Sequence, residues 1–154
     1  MPHSGGTSPG RSLLGVPIPP ALRERLRAEF TGELVRARLH SGLPARILTS
    51  LARTDAIVFG RRVFLSPAAA TLVSSDVIEG APLLAHELMH VRQYGRSGPA
   101  IFLGKYVGEY LERRLAGASH VQAYRELSFE REAEESRLAF ERVRKIEDRP
   151  GDSG

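Results

Sequence analysis

Two histidines and a glutamate within five residues constrain this chain more than any other feature. Residues 86–90 read His-Glu-Leu-Met-His. On a helix, positions four apart share a face, so the imidazoles of His86 and His90 can reach one metal ion. Glu87 falls beside them, where it can take a proton from a water activated by that metal. The surrounding stretch, APLLAHELMHVRQYG, is apolar on the face carrying Leu83, Leu84, Leu88 and Val91. Polar groups in a largely buried helix are costly unless they have partners, which argues for a metal over two accidental surface histidines.

The chain has no cysteine, so disulfides and thiolate zinc sites are excluded. A catalytic zinc takes three protein ligands and leaves one position open, so the third ligand here must be His, Asp or Glu. His120, Glu109, Glu112, Glu126 and Glu130 all lie on downstream segments that can return to the site. In Phe129-Glu130-Arg131-Glu132-Ala133-Glu134, Glu130 and Glu134 share a helical face. One can bind zinc while the other orients a ligand imidazole, and Ala133 is small enough for close helix approach. An acidic, solvated helix face accounts for the same pattern, and helical spacing alone leaves the third ligand open.

A length of 154 residues suits one domain with a real core. Residues 1–19 and 147–154 are rich in Gly, Ser and Pro and are expected as disordered tails around a domain spanning 20–146. The net charge of +4 comes from basic residues interleaved with acids, as in RERLRAE. That pattern reads as solvated helix faces rather than a nucleic-acid patch. Neither a secretory signal nor an apolar run near the roughly 20 residues of a membrane span is present, so the expected location is cytoplasmic.

Periodicity predicts an amphipathic helix over about 20–30, ended by Gly32, with Leu22, Leu26 and Phe30 on one side. Alternation over Leu34–His40 predicts a strand. A helix to about Arg53 follows, then a hairpin of 56–59 and 62–65 turning at Gly60-Arg61. Residues 67–75 read as a short helix or loop. Pro82 is expected to open the helix carrying His86 and His90, which ends near Gly95. Helices over 99–116, 119–127 and from Ser128 (as N-cap) to about Ile146 complete an α+β reading: mainly helical, with a small hairpin-containing sheet packed on the HExxH helix.

The order of hairpin, LLAHELMHVRQYG, long helix and AYRELSFEREAE resembles a small zinc-metallopeptidase-like domain found with extracellular contractile injection systems and bacterial toxins. More distantly it is similar to gluzincins such as the CAAX prenyl protease and the heat-shock membrane proteases, with H-E-x-x-H followed by E-x-x-A-D. The resemblance covers about residues 34–140. It implies a zincin fold, Zn2+ held by His86, His90 and Glu130, and Glu87 as catalytic base. It puts Glu134 at a trailing acidic position that is usually Asp. It further implies hydrolysis of a peptide or protein substrate and association with toxin or injection-system components. The membrane relatives' prenylated substrates do not carry over, because this chain has no membrane-spanning segment. The competing expectation is a non-catalytic module in which zinc staples two helices. In that case a chelator would remove thermal stability without any hydrolysis being detectable.

Overall fold

The computed structural model describes residues 15–75 and 77–147. Its architecture is α+β and mostly helical, with one small mixed sheet. Helix α1 (Pro20–Arg36) opens on Pro20, whose fixed φ suits the first helical turn. Leu22, Leu26, Phe30 and Leu34, spaced by four, are all buried along it. This stripe explains a departure from the alternation pattern. Leu34 to Arg36 continue the helix rather than beginning a strand, and Gly32 does not end it. Instead the backbone leaves helical geometry at Phe30 (φ −124°, ψ 35°), which lets the stripe keep following the core across a kink. Burial of Leu34 outweighs the local β pattern, and only Arg38–His40 remain as strand β1.

Helix α2 (Leu43–Ala52) is followed by the hairpin of β2 (Ala56–Phe59) and β3 (Arg62–Leu65). Gly60 takes φ +63° in the turn, a conformation open to glycine at little cost. The strand order is β1-β3-β2, with β1 parallel to β3 and β2 antiparallel to it. Among the described residues β2 is therefore an edge, paired only through β3. Val63 and Leu65 on the central strand turn into the core.

Part of the expected N-terminal tail is folded. Val16 and Leu39 exchange two backbone hydrogen bonds of 2.8 Å each, and Ile18 is buried in the core. Residues 1–14 and 148–154 lie outside the described residues.

Helix α3 (Pro67–Ser75) leads to the central helix α4 (Val77–Ser97). Pro82 does not open α4 but sits inside it, where its missing amide forfeits one helical hydrogen bond. The tight packing of Gly80, Ala81, Leu84, Ala85 and Leu88, all buried, holds the segment helical in spite of that loss. Helix α5 (Pro99–Leu115) ends before Gly117, at φ +93°, and α6 (His120–Arg125) is capped by the Ser119 side chain. Helix α7 (Ser128–Glu147) packs along α4 more extensively than any other pair of elements. Ala133 is fully buried at that contact, as its size predicted. Ser128 does not act as a cap. Its amide and hydroxyl both donate to Glu109, at 2.7 Å each.

An ion-pair cluster ties α1 to α4. Arg92 donates to Glu33 at 3.0 Å and also to Glu29, while its guanidinium lies 4.7 Å from the centre of the Phe30 ring. The kink at Phe30 is thus covered by a cation rather than by solvent.

Candidate metal centre

Helices α4 and α7 bring three donor groups to one point. His86 Nε2 and His90 Nε2 are 3.2 Å apart. Glu130 reaches both, with Oε2 at 3.4 Å from His86 Nε2 and Oε1 at 3.5 Å from His90 Nε2. Ligands about 2.1 Å from a tetrahedral metal stand about 3.4 Å from one another. The two Glu130 contacts run to different oxygens, and with one ligand atom taken from each residue all three lie within 4.8 Å of one another, so His86, His90 and Glu130 lie close enough to bind a metal ion.

The protonation pattern supports the same reading. Gln93, buried on the next turn of α4, donates its amide to the Phe129 carbonyl at 3.0 Å and to Glu132 at 2.8 Å. Both partners are acceptors, so the amide nitrogen must face them and the amide oxygen must face His90. That oxygen lies 2.8 Å from His90 Nδ1, which therefore carries the proton and donates it. His90 Nε2 is left with its lone pair directed at His86 and Glu130, the tautomer a metal requires. His86 Nδ1 is buried without a hydrogen-bond partner, and Glu134 Oε2 stands off at 3.8 Å. Arg137 holds Glu134 there, with contacts of 2.6 and 2.8 Å.

Electrostatics favours a cation at this point. Burial pushes the Glu130 carboxyl up, but the adjoining His86 and His90 imidazoles outweigh it and hold the group below the usual carboxylate range. Burial disfavours a charged His90, yet Glu130 and Glu87 more than reverse this and raise its pKa. Burial raises Glu87 above the ordinary value, and the two imidazoles only partly offset that. An unpaired buried carboxylate costs several kcal/mol, against at most about 1 kcal/mol returned by an exposed ion pair. Two buried carboxylates against two imidazoles are compensated best by a positive ion among them.

The other sequence candidates for a third ligand are engaged elsewhere. His120 pairs through Nδ1 with the Tyr110 hydroxyl at 2.8 Å. Glu126 is bound by Arg113 at 2.6 Å. Glu112 is exposed on α5. Glu109 accepts from Ser128, and although burial raises its pKa, those bonds with Lys105 and Arg113 nearby lower it overall. The folded state then binds fewer protons at Glu109 than the unfolded chain does. Its contribution to stability is present above the ordinary glutamate pKa of the unfolded chain and is lost as pH falls through the lower folded pKa. The expected outcome for Glu109→Gln is a shallower loss of stability on acidification, read from denaturant midpoints at about pH 5 and about pH 3.

A cleft of about 770 Å³ opens onto the three groups. Strand β2 forms one wall along its whole length, and α5 and α6 form the opposite one. Tyr94 and Phe102 line it and stack with ring centres 4.0 Å apart, and Phe129 stacks behind Phe102 at 4.7 Å. Tyr94, Tyr106, His120 and Tyr124 line the cleft, and Tyr110 does not. The Tyr106 hydroxyl donates to Glu130 Oε1 at 3.2 Å, and Tyr124 also sits beside Glu130. Burial first raises both phenols far above their ordinary range, helped by Tyr124 and Glu130 at Tyr106 and by Glu130 at Tyr124, so both stay protonated.

A model of the eCIS core domain matches residues 17–98. The chain belongs to the eCIS core domain family. That membership associates it with extracellular contractile injection systems. No curated protein and no solved structure matches the chain. The matched segment runs from α1 to the end of α4 and so contains His86, Glu87 and His90. Glu130 lies beyond it, so the group is completed by a helix outside the family match.

Gln93 is the residue that sequence reading missed. The signal was present: it lies three positions after His90, on the same face of an otherwise apolar helix. Gln93→Leu, similar in size but with no acceptor for Nδ1–H, is expected to weaken metal binding about 10- to 100-fold, measured by competition with a chromogenic chelator. Unchanged affinity would show that Gln93 only joins the helices.

Proposed function

We propose that this eCIS core domain protein is a zinc-dependent peptidase of the gluzincin type. The observation that carries this reading is the convergence of His86, His90 and Glu130 on one point, with Glu87 beside them, in a cleft walled by a sheet edge. His86 Nε2, His90 Nε2 and the Glu130 carboxylate would hold the ion. Bound zinc supplies Lewis acidity and brings the pKa of a water to about 7.

The chain's own residues supply the rest. Glu87, raised by burial toward the working pH, accepts a proton from the attacking water as the new carbon–oxygen bond forms. It returns that proton to the leaving amine as the peptide carbon–nitrogen bond breaks. Tyr106 and Tyr124, both kept protonated beside Glu130, are the donors for the developing oxyanion. The free edge of β2 can pair with an extended substrate as an added strand, which places a peptide bond over the metal group.

The test is cleavage of a peptide library by zinc-loaded protein, wild type against Glu87→Gln. Cleavage by the wild type alone supports the peptidase reading, and equal behaviour of the two removes it.

One observation favours a second role. The three donors join α4 to α7, the most extensively packed pair of helices, so a bound ion also ties the two together. A chelator-induced fall in melting temperature, with no hydrolysis of any peptide, is the result expected if stapling is the whole function.

A further inference from the structure

A second cleft, of about 510 Å³, adjoins the first, and Tyr94 lines both. The boundary between them is the end of the hairpin. Phe59, the last residue of β2, is exposed and lies 6.0 Å from the Tyr94 ring, and the turn residues Gly60 and Arg61 belong to the second cleft. A chain laid along β2 that continues past Phe59 therefore enters this groove.

Its charge is of one sign where it is free to act. Four arginines line it, Arg36, Arg61, Arg92 and Arg96, against the single carboxylate of Glu33. Glu33 is already committed to Arg92 at 3.0 Å. Arg96 has Glu132 at 3.5 Å. Among the described residues no carboxylate comes within salt-bridge distance of Arg36 or Arg61, and both are exposed. The groove thus presents two exposed guanidiniums without a salt bridge, of which Arg36 acts on Glu33 only at longer range, at the exit of a cleft whose interior is acidic and aromatic. Guanidiniums recognise carboxylates through paired hydrogen bonds, and like charges crowded in one groove favour an anionic occupant.

We propose that this groove selects polypeptide substrates carrying an acidic segment on one flank of the residues bound over the metal group. The inference rests on the peptidase reading, because continuity with the β2 cleft is what points to a polypeptide rather than another polyanion. Arg36 and Arg61 are its specificity-determining residues, and neither is placed in the chemistry.

The experiment uses full-length, zinc-loaded Glu87→Gln protein, so that the probes stay intact, with fluorescein-labelled peptides read by anisotropy. The peptides share one apolar centre and carry a Glu-Asp tract on the N-terminal flank, the same tract on the C-terminal flank, or Gln-Asn on both. The expected result is that one acidic peptide binds roughly fivefold more tightly than the neutral one at about 0.1 M salt, with most of that advantage lost near 1 M. Adding Arg36→Glu and Arg61→Glu together should abolish the advantage while leaving the neutral peptide's affinity, the metal content and the melting temperature unchanged.

If the three peptides bind equally, the acidic specificity is overturned and the peptide cleft stands. If none binds, the peptidase reading itself fails. A single-stranded oligonucleotide that outcompetes the acidic peptide would overturn the assignment to a polypeptide.

Discussion

Glu87→Gln is expected to lower peptide cleavage by about 10³-fold while metal content stays stoichiometric. The two side chains have the same shape, so the substitution removes proton acceptance and little else. Glu87 is buried beside both imidazoles, and burial raises its pKa, which is the condition for a base that must also give the proton back. The stability readout separates this from a folding defect. Removing a buried carboxylate also removes its desolvation cost, so the variant should melt at the wild-type temperature or above it. A variant that cleaves as fast as the wild type would exclude Glu87 as the base. One that loses metal along with activity would instead place it in the ligand structure.

Glu130→Gln should reduce metal affinity by about 10³-fold, beyond the 10- to 100-fold expected when only an outer partner such as Gln93 is lost. Glu130 is the one candidate whose oxygens approach both imidazoles, at 3.4 and 3.5 Å. A neutral amide also gives up the negative charge that faces the two imidazoles and accepts from the Tyr106 hydroxyl. The clearest measurement is the rise in melting temperature on adding zinc to stripped protein, since an ion that binds only the folded state stabilises it in proportion to ln(1 + [metal]/Kd). Wild type should show that rise and Glu130→Gln should show little of it. An undiminished rise would mean that the metal is held without α7.

Much of the local structure was legible because it depends on near neighbours in sequence. The hairpin was readable from Gly60 between two β-rich runs, and α5 from its periodicity and the glycine after it. The errors fell where a tertiary contact outweighed a local signal. Leu34–Arg36 look like the start of a strand, yet Leu34 extends the buried stripe of α1. Pro82 looks like a helix start, yet small residues packed around it carry α4 through. Ser128 looks like a cap, yet Glu109, nineteen residues away, takes both of its donors.

For the site, spacing by itself determined that His86 and His90 share one face of one helix with Glu87 beside them, because a helical turn fixes which residues are neighbours. The absence of cysteine determined that nitrogen and oxygen must complete the set. Which oxygen could not follow from spacing, since Glu109, Glu112, Glu126 and Glu130 all lie on helices able to return. The packing of α7 along α4 brings Glu130, and none of the others, to both imidazoles, with Ala133 allowing the approach, and the same packing places Gln93 between His90 and the Phe129 carbonyl. Helical periodicity is a property of the chain within one turn. The meeting of two helices depends on side-chain volumes contributed by both, and only the folded structure brings those together.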